Sequence, residues 1–281
     1  MSDPLIRLEN VSVRFGRQQV LSRVSFEVPK GETVALIGES GCGKSVTLKL
    51  IVGLLTPTEG EVYFEGKSVR GMTERERTAM RLRAGFLFQG AALFDSLTVF
   101  DNVAFGPRAK GGMTDADITA RVRERLQEVG LPPTAEPKMP AELSGGMRKR
   151  VGLARALALD PDVMLYDEPT TGLDPIMTDV INELILQTRR KRPVTSLVVT
   201  HEMRTVQKVA DRVVMLYPFA RLDPGAPQVL YDGPPADLDT HPDPRVRQFV
   251  NGEAGERLVE LRGDGESEAD MTRGQGDKVT R

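Results

Sequence analysis

A single cysteine, Cys42, is the only thiol in the 281-residue sequence, so no intrachain disulfide can form and the chain is compatible with a reducing compartment. Histidine is almost as scarce, at two residues. No apolar run approaches the roughly 18 residues that a membrane-spanning helix needs, which leaves any membrane role peripheral or borne by a partner. The opening "MSDPLIRLEN" lacks the basic-then-apolar pattern of a secretory leader. Charge of one sign is missing too. Lys and Arg number 38 against 40 Asp and Glu, so no excess positive field advertises nucleic-acid binding. With 40% apolar and 28% charged residues, the composition is that of an ordinary globular chain long enough for one large core or two small ones.

Apolar side chains recur at every second position in "LIRLENVSV" and "VLSRVSFEV", as in half-buried antiparallel strands, and "EVYFEG" reads as another. Short continuous apolar runs follow, "TVALIG", "DVMLYDE" and "SLVVTHE", which suit strands buried on both faces. They alternate with helical stretches, so an α/β fold is expected: a mostly parallel sheet flanked by helices, plus an antiparallel β layer from the N-terminal third. Strand signals fade over about 90–162, which reads as an inserted helical subdomain. Residues 1–250 are expected to form one domain. From 251 to 281 the composition turns to glycine and mixed charge with no aromatic residue, predicting a disordered tail. Just before it, Pro242 and Pro244 interrupt helix formation, and Val246, Phe249 and Val250 suffice for one short amphipathic turn. The tail beyond is long enough to reach a second subunit.

Two strings carry the chemistry. Gly38-Glu39-Ser40-Gly41-Cys42-Gly43-Lys44-Ser45 matches G-x-x-x-x-G-K-[ST] between a predicted strand and a predicted helix that continues through Val46. Glycines let the backbone wrap phosphate oxygens, Lys44 can neutralise the β and γ phosphates, and the Ser45 hydroxyl can ligate Mg²⁺. In "DVMLYDEP" an apolar strand ends in two carboxylates, where Asp167 can hold Mg²⁺ and Glu168 can polarise an attacking water. Adjacent carboxylates are otherwise most often a solvated strand end. A second anion site is written into "LSGGM": Ser144, Gly145 and Gly146 open a helix with free N–H groups, a hydroxyl and the positive end of the dipole. A plain helix cap explains Ser144 equally well. Behind it Met147, Val151, Ala154 and Ala158 share one helical face and read as core, whereas Arg148, Lys149 and Arg150 read as a solvated charge run.

These strings together resemble the nucleotide-binding ATPase of ABC transporters, over about residues 5–250. The resemblance implies a P-loop NTPase core, ATP and Mg²⁺ as cofactors, and a role for each matching residue. Phe15 would stack on adenine, although an aromatic in an alternating strand is more often core. Gln89 would sense Mg²⁺ and water, Asp174 of "TGLDP" would be the D-loop aspartate, and His201 would meet the γ-phosphate. Two subunits would pack head to tail, so that Ser144, Gly145 and Gly146 of one cover the ATP held by Lys44 of the other. "FQGAALFDSLTVFDNVAF", "LSGGMRKRVGLARA" and "HPDPRVRQFVNG" are similar to the ATPases of Mla-type and Mce-associated phospholipid transporters. That subgroup implies an integral-membrane permease of the MlaE type docking near Gln89 and an extracytoplasmic lipid-binding component of the Mce/MlaD type. It also implies a peripheral location on the cytoplasmic face of the inner membrane and no nucleic-acid partner. Ordinary packing is the other reading of Leu93, Phe94, Leu97, Val99 and Phe100. An importer ATPase for small polar solutes and a soluble, non-transport ATPase are the competing functions. "PFARLDPGAP" departs from the family pattern, being longer and richer in proline than the tight hairpin expected between its flanking strands.

Overall fold

The computed structural model describes residues 4–254. The chain opens with β1 (Ile6–Phe15) and β2 (Gln18–Val28), an antiparallel hairpin whose alternating residues bury one face. Then come β3 (Thr33–Gly38), α1 (Lys44–Ile51), β4 (Glu59–Phe64), β5 (Lys67–Ser68), α2 (Glu74–Leu82) and β6 (Ala84–Leu87). From β6 to the next strand the regular structure is helical: α3 (Val99–Lys110), α4 (Asp115–Glu128), two 3₁₀ turns and α5 (Gly145–Leu157). The chain continues through β7 (Val163–Asp167), α6 (Pro175–Lys191), β8 (Thr195–Val199), α7 (Met203–Val209), β9 (Arg212–Leu216) and β10 (Val229–Gly233).

The strands form two sheets, in the orders β2-β1-β4-β5 and β10-β9-β3-β8-β7-β6. The second is parallel from β9 through β6, and only β10 runs antiparallel, against β9. The fold class is therefore the expected one: a parallel α/β sheet with an added antiparallel layer. Side chains alternate across the parallel sheet and feed two cores. Val163 and Leu165 face the core shared with the antiparallel sheet and α1, while Met164 and Tyr166 face the helical side with α3 to α6. Among the described residues no helix is long and apolar enough to cross a membrane.

The helical region is ordered by polar side chains as well as by its core. Asn102 of α3 is fully buried. Its Nδ2 donates to the carbonyls of Phe94, Leu97 and Thr98 at 3.0–3.1 Å, and its Oδ1 accepts from Phe94 N at 2.8 Å. One side chain thus pins the second half of the loop between β6 and α3. The stripe expected on α5 is core at Val151, Ala154 and Ala158 and half-buried at Met147. Of the loop residues with two readings, Val99 is buried and Phe94 is exposed.

Residues 238–254 cluster as a separate unit. There Pro244 does not interrupt a helix but begins one, α8 (Pro244–Asn251), with Asp243 capping it by accepting from Arg245 N at 2.9 Å. Proline suits the first turn, where its missing N–H has no partner to lose. The expected disorder of the tail, and its reach to a second subunit, concern residues that lie outside those described from 255 onward.

Asn102→Leu keeps the branched shape but leaves Phe94 N and Leu97 O without the amide that pairs with them, since the Phe94 and Thr98 carbonyls also accept from backbone N–H groups. It should destabilise the chain by about 2–4 kcal/mol in urea unfolding, whereas a change under about 0.5 kcal/mol would mean that water replaces the amide.

Candidate functional site

Register brings the chemistry to one edge. Leu87 pairs with Tyr166, Tyr166 with Val198, and Val198 with Ala35, forming a row across four neighbouring parallel strands. Within three residues past that row stand Gln89 after β6, Asp167 and Glu168 at the end of β7, His201 after β8, and Gly38 at the mouth of the glycine loop after β3. All leave the carboxyl ends of their strands, where open parallel sheets bind ligands.

The loop Gly38 to Ser45 closes around its own lysine. Lys44 is 8% exposed, and its Nζ donates to the carbonyls of Gly38 at 2.7 Å and Glu39 at 3.0 Å. Ser40 and Gly41 lie at the surface, and Cys42 is fully buried. Gly43 has φ +103° and caps α1, and a Cβ there would sit 2.4 Å from Leu21 Cδ2. Only glycine combines that backbone with that contact. Because Leu21 belongs to β2, the same contact seats the β1–β2 hairpin on the loop. Phe15 ends β1 at the hairpin tip and is 48% exposed, so it is not a core residue. Val46, in the first turn of α1, is half-buried.

Ser45 Oγ donates to Asp167 Oδ1 at 3.0 Å, joining the two halves of the site. Burial raises the Asp167 carboxyl above its usual range, the Ser45 hydrogen bond lowers it, and neighbouring Glu168 raises it further. Glu168 is buried, not a solvated strand end. Its φ of +49° lies in the left-handed region, a costly conformation for a residue with a side chain. Glu168 Oε2 accepts from Thr171 Oγ1 at 3.0 Å and lies 2.9 Å from His201 Nδ1. Two oxygen donors 3.0 Å apart, from a hydroxyl and a carboxylate, suit Mg²⁺, which completes its shell with phosphate and water oxygens.

Ser144 stands apart from this edge. It caps α5, its Oγ accepting from Met147 N at 3.3 Å, so the cap reading of that serine holds. A Cβ on Gly145 would meet Leu173 and one on Gly146 would meet Met177, residues on either side of Asp174. Asp174 itself caps α6 and accepts from Ile176 N and Met177 N, both at 2.9 Å. Among the described residues no hydrogen bond joins Ser144, Gly145 or Gly146 to the glycine loop after β3.

Residues 21–171 match the family described as ABC transporter. The chain is 39% identical to the intermembrane phospholipid transport system ATP-binding protein MlaF of Haemophilus influenzae, covering 90% of this chain and 93% of that protein. It is also 39% identical to a probable ribonucleotide transport ATP-binding protein, mkl, of Mycobacterium leprae, over 88% of this chain and 69% of that one. Among solved structures, the ATP-binding cassette MJ0796, a dimer in a post-hydrolysis state bound to ADP and Pi, superposes with a TM-score of 0.72 at 31% identity. That match covers 82% of this chain and 98% of MJ0796. The chain belongs to the ABC transporter family.

As an ABC ATPase it binds and hydrolyses ATP to drive a transporter. One residue of its site was hidden in the sequence. Lys149 reads as part of a solvated charge run, yet it is 5% exposed, and its Nζ donates to the carbonyls of Gln89 and, at 2.9 Å, Glu168. Burial lowers its pKa, and the Glu168 and Asp167 carboxylates pull it back up. Arg155 works alongside, donating to the carbonyls of Ala91 at 2.8 Å and Ala92 at 2.7 Å, two residues also held at positive φ. The signal was present as spacing: Lys149 shares a helical face with Gly152 and Ala156, both buried, and Gly152 abuts Leu87 and Ala91. Of its basic neighbours, Arg148 is exposed and Arg150 is half-buried.

Lys149→Met removes the cation that bonds the carbonyls of both Gln89 and Glu168. Turnover should fall about ten- to a hundredfold, while ATP affinity stays within about threefold because the glycine loop is untouched. An equal loss in both quantities would make Lys149 a packing residue.

Proposed function

We propose that this subunit powers a phospholipid transporter from the cytoplasmic face of the inner membrane, as one of two copies that complete each other's ATP sites. The observation that carries the reading is the row of Gln89, Glu168, His201 and the glycine loop on four neighbouring strands, with Ser144 capping α5 and, among the described residues, making no hydrogen bond to that loop. In this reading the exposed Phe15 stacks on adenine, and the loop from Gly38 to Ser45, with Val46 in the first turn of α1, cradles the phosphates. Lys44 exchanges its carbonyl partners for phosphate oxygens. Ser45, Asp167 and Gln89 hold Mg²⁺, which when bound neutralises the β and γ oxygens. Glu168 accepts the proton of the attacking water. His201 is oriented through Nδ1 by the Glu168 carboxylate, leaving Nε2 to donate to the γ-phosphate. Ser144, Gly145 and Gly146 supply the N–H groups and hydroxyl that close the partner's site, and Asp174 fixes the loop beside them.

A groove of about 290 Å³ runs along β6 and the loop that follows it. It is lined by Phe86, Phe88, Phe94, Phe105, Arg155 and Leu159, and three of these rings are unusually exposed: Phe88 at 38%, Phe94 at 41% and Phe105 at 47%. Phe86 stacks on Phe88 and Phe94 tilts against Phe105, giving a pre-formed apolar surface. The occupant is a short cytoplasmic helix of an integral-membrane permease, MlaE-like by the relationship to MlaF, with an Mce/MlaD-like lipid-binding component on the far side of the membrane. The lipid assignment rests on that relationship.

Lys44→Ala should abolish ATP binding and hydrolysis, whereas Glu168→Gln should retain ATP and lose about 10²–10⁴-fold in turnover. A mixed dimer carrying Lys44→Ala in one copy and Ser144→Arg in the other should keep one intact site, read as half occupancy by ATP; empty or equally filled sites would refute the shared-site arrangement. Phe94→Ser with Phe105→Ser should release the permease while ATP affinity changes by less than about twofold, because the groove lies off the phosphate edge. Mass spectrometry of the co-purified complex should then find phospholipid; a ribonucleotide or another small polar solute in its place would replace the lipid reading.

A further inference from the structure

We propose that the segment 218–228 is an electrostatic strap on the phosphate loop, in which Arg221 neutralises the Glu39 carboxylate and so sets the loop's affinity for the ATP polyphosphate. The proposal rests on the reading of that loop as the ATP site.

Topology puts the strap there. β9 lies parallel to β3 with Leu216 opposite Gly38, and a Cβ on Gly38 would meet Leu216 O at 2.2 Å. A chain leaving β9 therefore emerges against the mouth of the loop. In place of a tight hairpin, "PFARLDPGAP" makes a 3₁₀ turn over Phe219–Arg221 and returns to β10, whose pairing with β9 is irregular between Val229 and Tyr231. Both ends of the phosphate loop are held by what this longer path presents. Arg221 Nη1 lies 2.8 and 2.9 Å from the two oxygens of Glu39, with its guanidinium 5.3 Å from the centre of the Tyr217 ring. Gln228 is 2% exposed; its Nε2 donates to the carbonyls of Cys42 at 3.2 Å, Val20 at 3.0 Å and Tyr217 at 3.1 Å, and its Oε1 accepts from Ser22 N at 2.8 Å.

Charge gives the attachment its purpose. Glu39 is the second residue of a loop built to hold a polyanion, and an unbalanced carboxylate there repels the ligand. Its field reaches the inside of the loop: burial pushes the Cys42 thiol up, Lys44 pulls it down, and Glu39 adds to the rise. Lys44 is bonded to the Glu39 carbonyl, so loop cation and loop anion share one turn. Arg221 supplies the counter-charge from outside the loop. Two unit charges several ångströms apart near a protein surface interact strongly enough to change an affinity by about tenfold.

The test measures the dissociation constant of Mg²⁺-ATP for the full-length chain by calorimetry, at low and high salt. Arg221→Ala should weaken binding about tenfold, less so near 1 M salt where charges are screened. Arg221→Lys, which keeps the charge, should stay within about threefold of the unchanged chain. Glu39→Gln alone removes a negative charge from the loop and should tighten binding. The double variant Glu39→Gln/Arg221→Ala should return close to the starting affinity. A merely mechanical tether gives the opposite pattern: both single variants weaken binding and the double variant is no better than Arg221→Ala. That pattern, or no effect of Arg221→Ala, overturns the proposal. If Arg221→Ala fails to fold, the sign of the Glu39→Gln effect decides alone, tighter supporting and weaker or unchanged refuting. Lys44→Ala is measured alongside. Should it bind ATP undiminished, the ATP-site reading itself fails, whatever Arg221 does.

Discussion

The parallel pairing of β9, β3, β8, β7 and β6 is the constraint on which everything else hangs. Parallel strands all end on the same side, so each crossover delivers its first loop residues to one edge. Neighbouring strands lie about 4.8 Å apart, so Gln89, Glu168, His201 and the glycine loop gather at one edge although none of them is close to another in sequence. A register slip of one residue in β7 would turn Tyr166 and Leu165 to the wrong cores and shift Asp167 away from Ser45 together. Packing on both faces therefore fixes the site geometry, and catalysis inherits the precision of the core.

Backbone strain collects where that edge meets α5. Glu168, Ala91 and Ala92 all hold positive φ, a cost of order 1–3 kcal/mol each. The carbonyls of these residues, with that of Gln89, are the ones that Lys149 and Arg155 grasp. A helix that begins at Ser144 thus props the residues that follow β6 and β7.

What was legible in the sequence is what sits in contiguous strings. The phosphate loop between β3 and α1, the carboxylates ending β7 and the histidine following β8 each carry their neighbours' pattern with them, and the alternation of strands and helices foretold the α/β sheet with its antiparallel layer. Lys149, Arg155 and Arg221 were hard to read because their roles exist only where two distant strings meet. A charged residue on a helix is ordinarily solvated, and the cue that the middle one of "RKR" turns inward is the face it shares with Gly152 and Ala156. Pro244 misled for a different reason: the same residue that breaks a helix interior begins a helix well, and position alone decides between the two.

The place where "PFARLDPGAP" enters the fold has an evolutionary consequence. β10 is the last strand on its side of the sheet and pairs antiparallel with β9, so the turn before it interrupts no parallel pairing. Length can be added there without disturbing a single parallel pair, yet the added residues arrive beside the glycine loop. An edge hairpin of this kind can change its length and charge next to that loop while the parallel strands keep their pairing.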